Sequence, residues 1–193
     1  MKTKFLLPAL FLLLLLGLLS SATSIPAESI DAKLYKLLHD SYRSPTMDVV
    51  MNTATHLGSS ESGLCLCLMF STYGNDYQKQ TAKLAFTSMA ATAIVAQTLK
   101  VSVNRRRPEA TCSNFNSSFP SGHATGSFAM ATILANRYSR YRVVSYAAAS
   151  IVGLSRIYLG KHYPSDVLAG ALLGYVGSRL VLHFKDEILS IEF

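Results

Sequence analysis

SRIYLGKHYPSD, from Ser155 to Asp166, is the stretch whose reading decides the fold. Arg156 closes an apolar, helix-like run, His162 follows in a short loop, and Pro164 opens the next segment. Proline suits the first turn of a helix and disfavours helix in the residue before it. Tyr163 is therefore expected near an N-cap and Asp166 in the first turn of the following helix. A carboxylate there complements the positive helix end and can reach back to the His162 ring. The stretch reads as helix, loop, helix, with an arginine, a histidine and an aspartate gathered at one end. An imidazole held by a carboxylate, beside a guanidinium whose fork fits tetrahedral oxyanions, points to phosphoryl chemistry through histidine.

Helical spacing recurs outward from this point. Over 30–42 it places Ile30, Leu34, Leu37 and Leu38 on one face, a helix period. Ser44-Pro45 breaks that helix, and a second is expected over 46–57, stopped by Gly58. Residues 64–70 are apolar all round, the pattern of a buried helix. Gly74-Asn75-Asp76 signals a turn. A long Ala-rich helix is expected from 80 to about 104, ended by Arg107-Pro108. A polar loop covers 109–119, and further helices are expected over 120–138, 141–154 and 164–184. Strand alternation never persists. The fold class is all-α, a single helical bundle with short connections.

The chain has 193 residues, enough for one domain with a real core. Residues 1–22 read as a signal peptide, with Lys2 and Lys4 ahead of an apolar run and Ser20-Ser21-Ala22 as a cleavage site; an uncleaved anchor is the alternative. The domain is then 23–193, and the product is exported, periplasmic or in the cell envelope. Cys65, Cys67 and Cys112 allow one disulfide in an oxidising compartment, although buried apolar thiols fit them as well. Their spacing matches no zinc pattern, so no metal site is expected. Apolar residues make up 50% of the chain and mean hydropathy is +0.28. No segment after the leader is an uninterrupted apolar run of spanning length. Gly170, Gly174 and Gly177 allow close helix crossing in lipid or in a soluble bundle, and Arg179 and His183 argue against deep lipid exposure of that end. The expectation is of helices buried mainly in protein, with membrane association as the alternative. A net charge of +7 fits anionic partners of several kinds. The Arg105–Arg107 run lacks interleaved aromatics and a recognition fold, so no nucleic-acid partner is expected.

Two further motifs carry chemistry. Lys100 and Arg107 are seven residues apart, nearly two helical turns, so on one helix they share a face and could hold two oxygens of one phosphate. Arg105 and Arg106 read as a solvated basic helix end. Pro120-Ser121-Gly122-His123 opens a helix after a polar loop, and the free N–H groups of a helix start form an anion site. Gly122 permits close backbone approach, Ser121 offers a hydroxyl and His123 sits in the first turn.

In this order and spacing, KVSVNRRRP from Lys100, PSGH from Pro120 and SRIYLGKHYPSD from Ser155 match the pattern KxxxxxxRP, PSGH, SRxxxxxHxxxD. The chain thus resembles the type 2 phosphatidic acid phosphatase (PAP2) superfamily, which also holds bacterial non-specific acid phosphatases and vanadium-dependent haloperoxidases. The matching motifs span 100–166, about a third of the chain.

The resemblance implies a bundle of the PAP2/haloperoxidase type and a metal-independent phosphatase without cofactor, inhibited by vanadate. His162 would be the nucleophile forming a phosphohistidine, Asp166 would hydrogen-bond its other ring nitrogen, and His123 would be the general acid. Lys100, Arg107 and Arg156, with Ser121 and the amide of Gly122, would bind the phosphate oxygens. The implied substrate is a phosphomonoester, a lipid phosphate or lipid pyrophosphate. The alternatives are a soluble periplasmic acid phosphatase, a vanadium haloperoxidase and a non-catalytic anion-binding envelope protein. His39, His56 and His183 read as surface or helix-packing residues, and Lys161 as a local positive charge.

Overall fold

The computed structural model describes residues 29–109 and 116–191. The leader expected over 1–22 and Cys112 lie outside them. Among the described residues every regular element is a helix: α1 (Ile30–Asp40), α2 (Pro45–Leu57), α3 (Ser60–Tyr73), α4 (Asp76–Val103), α5 (Gly122–Arg137), a 3-10 turn (Ser139–Tyr141), α6 (Arg142–Tyr158), α7 (Pro164–His183) and α8 (Lys185–Ser190).

Side-chain caps set the starts of the first four helices. Ser29, Ser44 and Ser59 accept from the backbone N–H three residues on in α1, α2 and α3, satisfying donors the helix itself cannot. Asn75 and Gln78 cap α4 reciprocally, at 3.0 and 2.9 Å, so α4 begins at Asp76 rather than near residue 80. At its other end Asn104 takes a left-handed conformation, φ 46°, which asparagine tolerates. Helix α4 therefore stops at Val103, close to the expected 104, with Asn104 rather than the Arg107-Pro108 pair as its stop.

Helix α5 is central and packs against α7, α6 and α4. Small residues let it do so. A Cβ on Gly170 of α7 would sit 2.5 Å from the Ser121 carbonyl oxygen, and one on Gly174 2.3 Å from that of Thr125. Leu84, Leu99, Ile133 and Leu173 are fully buried between these helices, each contributing about 1.5–3 kcal/mol by leaving water. Tyr35 and Leu38 of α1 pack on Ala124, Ile157 and Val167.

Outward faces are apolar. Helices α4 and α7 are long and apolar enough to cross a membrane, and only 39% and 44% of their apolar windows are buried in protein. Ile94 and Leu168 on them are exposed. The expectation of helices buried mainly in protein does not describe these two. Nor is α3 a buried helix: Cys67 is its buried residue, while Leu64, Leu68 and Met69 face outward. Cys65 is exposed, and both it and Cys67 are free thiols.

Candidate active site

The loop 159–163 joins α6 to α7. Gly160 turns it at φ +73°, a conformation only glycine adopts freely. The Arg156 carbonyl then accepts from the N–H groups of Lys161 and His162, at 3.0 and 3.2 Å. His162 is buried, and its Nδ1 donates to the Ser118 carbonyl oxygen at 2.7 Å. A carbonyl only accepts, so Nδ1 holds the proton and Nε2 keeps its lone pair.

Asp166 does not make the bond to His162 that the sequence suggested. Its Oδ2 lies 3.8 Å from Nδ1, beyond hydrogen-bond reach. That oxygen accepts instead from the Ser118 hydroxyl at 2.5 Å and the Tyr163 N–H at 2.8 Å. Oδ1 accepts from Arg105. Asp166 thus acts on the ring through Ser118, whose side chain it holds and whose carbonyl holds the imidazole.

The cations arrive from three places. Lys100, on the last turn of α4, donates to the carbonyls of Ser117 and Pro120, each at 2.8 Å. Arg107 lies beyond the end of α4, so the two do not share a helical face. Its Nε and Nη2 bond the carbonyl and side-chain oxygens of Asn116, at 3.1 and 2.5 Å. Arg156, near the end of α6, gives Nη1 to the Thr55 hydroxyl of α2 at 2.5 Å. Its Nε is buried with no hydrogen-bond partner among the described residues, a donor poised for an oxyanion. Lys161 pairs with Glu109 at 2.5 Å.

Ser121 caps α5, its hydroxyl oxygen accepting from the Ala124 N–H at 3.4 Å. Its own N–H donates to the Asp166 carbonyl at 3.0 Å, tying the PSGH segment to α7. Gly122 and His123 form the first turn, and a Cβ on Gly122 would meet open space. Burial, above all, holds His123 down to about pH 4, helped by Arg156, His162 and Arg107. Burial likewise lowers His162 to about 4, with Lys100 and Arg107 adding to the effect against the opposing pull of Asp166. Both histidines lie outside α4 and α7, and Arg107 acts on both.

Four residues that the motifs did not flag complete the arrangement. Thr55 holds Arg156, and Ser118 joins Asp166 to His162. Arg105, read from sequence as a solvated charge, is 8% exposed and pairs with Asp166 and with Asp31 of α1. Two cations beyond the motif positions in KVSVNRRRP, Arg105 and Arg106, were the only local sign of it. Among the described residues no group of three or more His, Cys, Asp or Glu is placed to hold a metal ion.

Comparisons with known proteins place this helical bundle and its buried histidine. The PAP2 superfamily model matches residues 81–189. Phosphatidylglycerophosphatase B of Bacillus subtilis is 31% identical over 160 residues, 76% of this chain and 79% of that protein. Lipid A 1-phosphatase of Porphyromonas gingivalis is 40% identical over 93 residues, which are 46% of this chain but only 20% of that longer relative. The crystal structure of a transmembrane PAP2-type phosphatidylglycerolphosphate phosphatase from Bacillus subtilis superposes with a TM-score of 0.76, at 26% identity, over 96% of this chain and 98% of that one. The chain belongs to the PAP2 superfamily.

Proposed function

We propose that this protein is a membrane-embedded lipid phosphate phosphatase, a phosphoric monoester hydrolase working through a phosphohistidine without metal. One observation carries the reading: the Ser118 carbonyl fixes the proton on His162 Nδ1, leaving Nε2 as a nucleophile in a pocket of cations. Nε2 attacks phosphorus as the bond to the leaving oxygen breaks. Lys100, Arg107 and Arg156 take up the charge that spreads over the non-bridging oxygens. His123 gives a proton to the leaving oxygen, then accepts one from the water that cleaves the phosphohistidine and frees phosphate.

Without an anion His123 is neutral at pH 7, held low by burial and by the cations. A phosphate dianion offsets that field and raises the proton affinity of His123, so the substrate arms its own general acid. A lipid substrate is favoured by the outward apolar faces of α4 and α7 and by relatives named as acting on phosphatidylglycerophosphate and lipid A.

The test is phosphate release by the full chain in detergent micelles with a chelator present. The panel holds an aryl phosphate, phosphatidic acid, phosphatidylglycerophosphate and a polyprenyl pyrophosphate, each with and without vanadate. Vanadate-sensitive release, fastest on a lipid, is expected. Preference for the aryl phosphate would make it a general acid phosphatase, a need for divalent ions would refute the metal-free route, and no release from any substrate would refute the enzyme.

A further inference from the structure

Arg105 stands where two networks meet. Its carbonyl accepts from the Ser118 N–H at 2.8 Å, and its guanidinium reaches Asp166 through Nη1. The same Nη1 bonds the Ser165 hydroxyl at 2.8 Å, and Nη2 pairs with Asp31 Oδ2 at 2.8 Å. The Tyr163 ring covers it, 4.8 Å from Cζ. Asp31 is held in turn: Oδ1 accepts from the Ser165 N–H at 2.9 Å and Oδ2 from the Ser165 hydroxyl at 2.6 Å.

We propose that Arg105, braced by Asp31 of α1, is a positioning residue for the His162 nucleophile. It fixes Ser118 through its main chain and Asp166 through its side chain, and those two residues set the imidazole. The proposal rests on the phosphatase reading of His162. The guanidinium is engaged by two carboxylates and a hydroxyl, so Arg105 is separate from the oxyanion clamp of Lys100, Arg107 and Arg156. Its planar fork spans carboxylates on two different helices, which the point charge of a lysine cannot do at once. Through Asp31, α1 becomes part of the catalytic apparatus although it contributes nothing to the phosphate pocket.

The fold-changes follow from this division of labour. Loss of a partner that orients a reactive ring costs about 10–100-fold in rate, while a clamp left intact keeps affinity. With an aryl phosphate and the full chain in micelles, Arg105→Met is expected to lower kcat about 100-fold, with KM and vanadate inhibition within about twofold of wild type. Arg105→Lys should recover about tenfold of that loss, and Asp31→Asn should lower kcat about fivefold with KM unchanged. Unaltered kcat in Arg105→Met would overturn the proposal. So would KM and vanadate inhibition weakening in step with kcat, since Arg105 would then bind the anion itself. If Arg105→Met does not fold, Arg105→Lys and Asp31→Asn decide, and wild-type kcat in both overturns it. A silent wild-type chain refutes the phosphatase reading and this inference together, whereas an active wild type with indifferent variants refutes this inference alone.

Discussion

Arg156 Nη1 donates to the Thr55 hydroxyl at 2.5 Å and joins α6 to α2 across 101 residues of sequence. The arginine is thereby aimed before any anion arrives. Removing that acceptor leaves a buried charged donor unpaired, a cost of about 1–3 kcal/mol. Thr55→Val is expected to lower the melting temperature and weaken vanadate inhibition, while Thr55→Ser, which keeps the hydroxyl, restores both. Thermal melts and inhibition curves on the two variants check this.

His162→Ala should abolish phosphate release yet retain vanadate binding, because the cations are untouched. Calorimetry with vanadate and a release assay separate the two properties. Appreciable turnover in the variant would remove His162 from the role of nucleophile.

Ser118 and Asp166 should differ in rank. Ser118→Ala deletes the hydroxyl bond to Asp166 but keeps the carbonyl that holds His162, so kcat should fall about tenfold. Asp166→Asn also discharges the partner of Arg105 and should cost more, on the order of 10³-fold or beyond. The ratio of the two kcat values is the measurement, and wild-type kcat in Ser118→Ala would contradict the path through Ser118.

The two site histidines govern the acid side of stability. Each ordinarily titrates near 6.5 and in the folded, anion-free pocket only near 4. Between those values the unfolded chain binds more protons than the folded one, so stability drops as pH falls from about 6.5 to about 4. Melting temperature should fall across that window, and inorganic phosphate should flatten the fall by favouring the protonated rings. His123→Gln should remove part of the slope, read from melts at stepped pH.

Gly170 is a packing constraint at the site. A Cβ there would lie 2.5 Å from the Ser121 carbonyl, and backbone cannot retreat as a flexible side chain can. Gly170→Ala should destabilise the protein by about 1–3 kcal/mol and lower kcat by displacing the PSGH turn. Unfolding curves and the release assay check both effects.

The helices and the chemically distinctive residues were legible in the sequence because their signals are local. Pro164 and Asp166 announce the start of α7 within three residues, apolar spacing traces α1, and Ser44-Pro45 and Gly58 bound α2. The contacts that orient the site were not legible. Thr55 meets Arg156, Ser118 meets Asp166 and Asp31 meets Arg105 only after the bundle closes, and no spacing rule links them. Arg105 looked solvated because a run of arginines normally is. Its burial depends on two carboxylates from distant helices. The end of α4 near residue 104 was legible but its cause was not: Asn104, an inconspicuous residue, takes the left-handed turn ahead of the obvious proline.

The protonation state of the nucleophile is written in the route of the main chain. Any residue at position 118 brings the same carbonyl to His162 Nδ1, so drift at that position can erode the support of Asp166 without moving the proton. What can move it is a change in the route itself. Lys100 pins that route at the Ser117 and Pro120 carbonyls, on either side of Ser118. Its replacement would cost the pocket a charge and unfasten the strap that keeps the imidazole in register, two injuries from one lesion.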